Sequence, residues 1–101
     1  MNTVFICTDL LTSENLGLCH KYIISLIRGG IEKFGTYTFT LTGGLKYCDY
    51  EFDAKRLQQC YNRLIDVGVV IREQREYEVT DGSIRCSHID WIDEKRLKEI
   101  L

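Results

Sequence analysis

Apolar residues recur at helical spacing in two stretches of the chain. Leu16, Cys19, Tyr22, Ile23, Leu26 and Ile27 share one face, which predicts an amphipathic helix. Thr12 or Ser13 can cap it by accepting orphan backbone N–H groups, and Gly29-Gly30 is expected to end it or loosen its last turn. Ala54, Leu57, Cys60, Tyr61, Leu64 and Ile65 form a second such stripe. Asp53 stands where its cap should be, and Gly68 supplies the stop.

Other segments alternate with period two. "TYTFTLT" (residues 36–42) puts Tyr37, Phe39 and Leu41 on one side and threonines on the other, the pattern of a half-buried strand. "TVFIC" (residues 3–7) is a shorter β-branched and aromatic run, also read as strand. "LKYCDYEF" (residues 45–52) has room for one short helix, although its second half carries aromatics better suited to a turn or strand. "VVIRE" (residues 69–73), "EYEVT" (76–80) and "SIRCSHI" (83–89) read as strands. They can turn at Gln74-Arg75, at Asp81-Gly82, or at both as a meander. Asp81-Gly82 has the better hairpin chemistry and is preferred as a two-residue turn. Asp90 is placed to cap a final helix whose apolar contacts would be Trp91, Ile92, Leu97, Ile100 and Leu101.

The chain has 101 residues, which fits one domain spanning residues 1–101. No proline-rich linker, repeat or low-complexity tract divides it. With 45% apolar and 28% charged residues it has the material for a modest core and a solvated surface. No apolar run approaches membrane-spanning length. The N-terminal stretch lacks a basic start and a small-residue cleavage site and meets Asp9 early, so no signal peptide is expected. Five cysteines (Cys7, Cys19, Cys48, Cys60 and Cys86) make an odd count without a secretion signal. That points to reduced thiols and a cytoplasmic setting, although a disulfide stays open. The net charge of −2 argues against a surface basic all over, and leaves room for a local basic patch.

The order of elements, and the run "FDAKRLQQCYNRLIDVGVVI" in particular, resembles the winged helix-turn-helix superfamily over roughly residues 12–89. The junction from Leu64 to Val70 looks like the passage from a recognition helix into the first wing strand, and Thr40-Leu41-Thr42 like the entry to the motif's first helix. "GGLKYC", with two glycines in its first turn, departs from that pattern, as does the aromatic, acidic link "DYEF". The resemblance implies a small α+β domain with a β-hairpin wing and a C-terminal helix. It implies a DNA-binding transcriptional regulator, with Lys55, Arg56, Gln59, Asn62 and Arg63 facing double-stranded DNA from the helix and Arg72 and Arg75, or Arg85, reaching it from the wing. A homodimer through the C-terminal helix would fit. The side-chain chemistry suits these roles, yet any solvated helix face carries lysine, glutamine and arginine, and Asp66, Glu51, Glu73, Glu76 and Glu78 dilute the charge.

A second reading uses the same scaffold to bind and inhibit a host protein, as a phage- or virus-type effector does. The acidic balance and tyrosines Tyr47, Tyr50 and Tyr77 fit it, because aromatics anchor protein interfaces. Enzyme, metal and cofactor readings have less support, and none is expected. Cys19-His20 and Cys86-Ser87-His88 lack the Cys-x₂₋₄-Cys spacing of structural zinc. Cys19 and Cys60 fall on apolar helix faces, and neither "GGIEKFG" nor "TGG" is followed by the Gly-Lys-Ser/Thr of a phosphate loop.

Overall fold

The computed structural model describes residues 10, 14–47 and 52–101, with the side chain of Tyr47 left out. The strand expected at residues 3–7, the caps Thr12 and Ser13, and Cys7, Cys48, Tyr50 and Glu51 lie outside the described residues. Four helices and a two-stranded antiparallel sheet lie wholly within them: α1 (Leu18–Phe34), α2 (Leu41–Tyr47), α3 (Ala54–Asp66), β1 (Val70–Glu78), β2 (Ile84–Ile92) and α4 (Glu94–Ile100). The result is a small single α+β domain, consistent with a winged-helix-like topology.

α1 and α3 form because their apolar stripes meet. Cys19, Tyr22, Ile23, Leu26 and Ile27 of α1 are buried in one cluster with Leu57, Cys60, Tyr61 and Leu64 of α3. Leu10, Val69, Val70, Ile92 and Leu97 complete that cluster. Leu16 of the expected stripe lies ahead of α1, whose cap residue is Gly17. Asp53 caps α3 as expected, its Oδ1 accepting from the Arg56 N–H at 2.7 Å.

α1 runs straight through Gly29-Gly30 and stops at Gly35, contrary to the sequence expectation. Gly30 serves a close approach instead. A Cβ placed there would collide with the Tyr37 ring, which lies against the helix.

Residues 36–42 do not form the expected strand. A single bridge pairs Tyr37 with Asp90, and at Leu41 the chain turns into α2. The alternation still buries Phe39 and half-buries Tyr37 and Leu41, so it reports an inward-facing side without a ladder. The short helix expected within residues 45–52 starts earlier. Thr40 Oγ1 accepts from the Gly43 N–H at 3.0 Å, and the Tyr22 hydroxyl donates to the Gly44 carbonyl, docking α2 on α1. The local bond from Gly43, the tertiary bond from Tyr22 and the partly buried Leu41 and Leu45 offset the glycines' low helix propensity.

Gly68 makes the turn between α3 and β1 at φ 84°, a left-handed conformation that strains any residue with a Cβ. α4 reinforces the same corner. Arg96 Nε donates to the Val67 carbonyl at 2.7 Å, placing a cation at the C-terminal end of α3 where the helix dipole favours it. The Asp93 N–H donates to the Val69 carbonyl at 2.9 Å.

β1 and β2 are each continuous and pair in register from Val70↔Ile92 to Glu78↔Ile84, so no turn occurs at Gln74-Arg75. The hairpin does reverse around Asp81-Gly82, with different geometry from a two-residue turn. The Gly82 N–H bonds the Val79 carbonyl at 2.9 Å, making Thr80-Asp81 the central pair and giving a three-residue loop closed by Gly82 at φ 85°. β2 extends through Ile92, so Asp90, Trp91 and Ile92 belong to the strand. The cap of α4 is Asp93, whose Oδ1 accepts from the Arg96 N–H at 3.1 Å, replacing Asp90 in that role. Among the described residues no helix is long and apolar enough to cross a membrane.

Candidate nucleic-acid interface

The burial of α3 decides what it presents. Leu57, Cys60, Tyr61 and Leu64 take one side, and at 100° per residue Lys55, Gln59, Asn62 and Asp66 point away from it. Arg56 and Arg63, two turns apart, run along one edge. All six are exposed. The structure therefore brings Lys55, Arg56, Gln59, Asn62 and Arg63 together on one helix. Gln58 Nε2 donates to Asn62 Oδ1 at 2.8 Å. The side chains of Lys55, Arg56, Gln59 and Arg63 make no hydrogen bond or ion pair with a described residue. Asp66 is the acid at the end of this face.

The wing arginines separate. Strand parity puts Arg72 on the hairpin face that carries Val70, Asp90 and Ile92 and meets α3. Arg75 lies on the opposite face with Ile71, Ile89 and Trp91, and its guanidinium pairs with Glu73 at 2.8 Å. Arg85, across from Tyr77, shares that second face. Arg72 and Arg75 thus cannot both address a ligand lying against α3. Across residues 70–92 the wing carries Arg72, Arg75 and Arg85 against Glu73, Glu76, Glu78, Asp81 and Asp90, so it offers no net basic surface.

Two features escaped the sequence reading. The first is Asp90, with 1% of its surface exposed. Its carboxylate accepts from the Phe39 N–H at 2.8 Å and from the Tyr61 hydroxyl, and it lies 3.2 Å from His88 Nε2. His88 Nε2 also lies 3.2 Å from the Phe39 carbonyl. The Phe39 and Tyr61 rings stack at 4.5 Å beside this group. Burial, followed by the hydrogen bond and charge of Asp90, raises the Tyr61 phenol pKa well above its ordinary value. The network ties β2 to α3 and to residues 37–39, fixing the angle at which the hairpin leaves the body. Its signal in the sequence is parity: Asp90 falls in step with Ile92 on the inward face.

The second is His20, half-buried at the start of α1. Burial first, then the charges of Arg63 and Arg56, push its pKa below the ordinary histidine value. Its position one residue past Cys19 puts it at the margin of the apolar stripe, the signal that could have found it.

Cys19 and Cys60 are buried and Cys86 is exposed. Among the described residues no three His, Cys, Asp or Glu side chains gather closely enough to hold a metal ion. No protein-family model matches the chain, and no curated protein is significantly similar to it.

Proposed function

We propose that the protein binds duplex DNA as a transcriptional regulator, with α3 as the reading helix. One observation carries this reading: the contrast among the arginines. Arg28 pairs with Glu94, Arg75 with Glu73 and Arg96 with Glu99, whereas Arg56, Arg63, Arg72 and Arg85 stand unpaired among described residues, and of these Arg56 and Arg63 share one helix with Lys55 and Gln59. An exposed helix whose cations pair with no described residue, next to amide side chains, has the chemistry of major-groove recognition. Arginine bonds guanine, asparagine and glutamine bond adenine, and lysine reaches phosphate. Asp53 at its start and Gly68 with Arg96 at its end hold the helix firmly enough to present these groups in one register. In this reading Arg72 supports binding from the near face of the wing, and Arg75 stays with Glu73.

A homodimer would let two copies of α3 address a two-fold site. α4 buries Leu97 in its own chain and half-buries Ile100 and Leu101, so a seam at this end would be built largely from polar groups. Sedimentation with and without DNA tests it: a dimer formed only on DNA fits this construction.

A second reading is favoured by a specific surface. The outer hairpin face exposes Trp91, and an open groove beside it is lined by Ile31, Gly35, Thr36, Glu73, Arg75 and Ile89. Phe34, on the last turn of α1, is 72% exposed. These are anchors of the kind a host protein would take, leaving the scaffold an effector that binds and inhibits it. Selection of duplexes from a random-sequence pool at low salt separates the two. Enrichment of a common site that is lost in Gln59→Ala supports the DNA reading. No enrichment, with capture of one protein that depends on Trp91, supports the other.

A further inference from the structure

Hydrogen bonds at the two ends of the hairpin fix which way the backbone of β1 points. The Val79 N–H donates to the Ser83 carbonyl at 3.0 Å, and the Asp93 N–H to the Val69 carbonyl at 2.9 Å. With the register between them, the odd-numbered residues of β1 exchange bonds with β2. Arg72, Gln74, Glu76 and Glu78 therefore turn their backbone N–H and C=O groups to the outer edge. Those groups bond no described residue, and residues 72–78 are exposed. The edge of β2 is different. At its root the Asp90 N–H donates to the Tyr37 carbonyl at 2.7 Å, and the His88 carbonyl accepts from Thr38 Oγ1 at 2.6 Å. An open strand edge is a template for another strand, and charged side chains usually forbid the pairing.

The charges on β1 are ordered so that one pairing is allowed. Residues 71–77 read "IREQREY", and reversing this run about Gln74 exchanges every cation for an anion. A second copy laid antiparallel along the edge, with a two-fold axis at Gln74, sets Glu73 opposite Arg75 of the other chain and Arg72 opposite Glu76. The axis repeats both pairs. Glu73 and Arg75 would meet as a non-hydrogen-bonded pair, where facing side chains come closest. Ile71 would face Tyr77 of the second copy. Trp91 stands beside Ile71 in the register, so Tyr77, 49% exposed in the single chain, would gain an apolar neighbour there. Moving the axis to Arg72, Glu73, Arg75 or Glu76 would put that residue opposite its own copy, like charge on like charge.

We propose that two copies of the chain pair through the outer edges of β1, antiparallel about Gln74, and join their hairpins into one four-stranded sheet. The seam lies on the wing, away from α4, and needs no duplex. It is short and largely polar, which puts it among weak, concentration-dependent interfaces. Its charges set the register and the partner more than the strength.

The test is sedimentation equilibrium of the full chain from micromolar to millimolar concentration, without DNA and at low salt. A reducing buffer keeps the exposed Cys86 from linking chains. The apparent mass should climb from 11.8 kDa toward twice that value. Glu73→Arg leaves cations at both positions 73 and 75, and Arg75→Glu leaves anions at both. Each variant alone opposes like charges across the seam and should stay monomeric. Mixed in equal amounts they are complementary, so association should return. Backbone amide exchange of the unsubstituted chain gives a second readout. The Arg72, Gln74 and Glu76 amides should slow as concentration rises, while those of Glu73 and Arg75, already bonded to β2, should not change. A mass that never rises, or a mixture no more associated than its parts, would overturn the seam. So would association that both single variants keep, or exchange at Arg72, Gln74 and Glu76 that concentration leaves unchanged.

Discussion

Helix α3 and the hairpin meet at Gly68, yet they are held in opposite ways. α3 buries one whole side among α1, α2 and the strand roots, and its exposed side collects cations that pair with no described residue. The hairpin is fixed at one end only. Val70, Ile92 and Asp90 are buried at its root, and from residue 72 of β1 and back through residue 87 of β2 both faces are open to water, apart from the loop residue Val79. Its charges are balanced within it, Arg75 by Glu73 directly. A two-stranded ribbon is marginal alone, so the arm depends on its root and its turn. The helix is a platform packed along one whole side, and the hairpin is an arm whose direction is fixed where it leaves the body.

Breaking the root should have the largest effect. Asp90→Ala leaves the buried Phe39 N–H and Tyr61 hydroxyl without their acceptor, at about 1–3 kcal/mol for each group. Urea unfolding is expected to show a loss of about 2–6 kcal/mol in all. A loss below about 1 kcal/mol would mean the network does not anchor the arm. Gly68→Val comes next. At φ 84° it should cost at least about 1 kcal/mol, seen as a lower melting temperature, because a β-branched residue strains this corner. A neutral melt would show that the junction relaxes without glycine.

Along the arm the effects should fade. Tyr77→Ser and Ile84→Thr, both on exposed positions, should each change stability by no more than about 0.5 kcal/mol. Larger losses would show that the ribbon packs more tightly than its exposure indicates. Smaller still is the contribution of the turn. Ser83 donates to the Asp81 carboxylate through its hydroxyl and its N–H, and these bonds hold the Asp81 pKa below the ordinary carboxylate value. A depressed carboxylate stabilises the fold above its unfolded pKa, and the support is lost as pH falls through the folded pKa. Asp81→Asn should flatten that acid-side slope slightly.

His20 has a dependence of the same sign at higher pH. Its folded pKa lies below the unfolded value, so the unfolded chain binds more protons between the two. Stability should therefore fall as pH drops below about 6.5. His20→Gln should remove that part of the slope in pH-dependent melts, and an unchanged slope would place the effect elsewhere.

The platform was legible in the sequence and the arm's attachment was not. The stripe of α3, its Asp53 cap and its Gly68 stop are local signals, and each holds. The polar face follows from the same periodicity, so Lys55, Arg56, Gln59, Asn62 and Arg63 could be placed together. Residues 36–42 misled because perfect alternation reports one inward side and says nothing about a partner strand. Only the Tyr37–Asp90 bridge forms before Thr40 starts α2. Gly29-Gly30 read as a stop because the Tyr37 ring that needs the space comes from a later segment. Asp90 read as a cap because an acid beside a helical pattern usually is one. Its role as a buried acceptor depends on Phe39 and Tyr61, 51 and 29 residues away in the chain. Arg72 and Arg75 were grouped by charge, and the strand pleat puts them on opposite faces.

The measurement that tests the central claim most directly is binding of the full chain to mixed duplex fragments across a salt series, beside Arg56→Gln/Arg63→Gln. The account predicts affinity that falls steeply with salt, a slope shallower in the double variant by about 0.9 for each phosphate it no longer neutralises, and an unchanged melting temperature. No binding at low salt, or a slope the double variant leaves untouched, would contradict it.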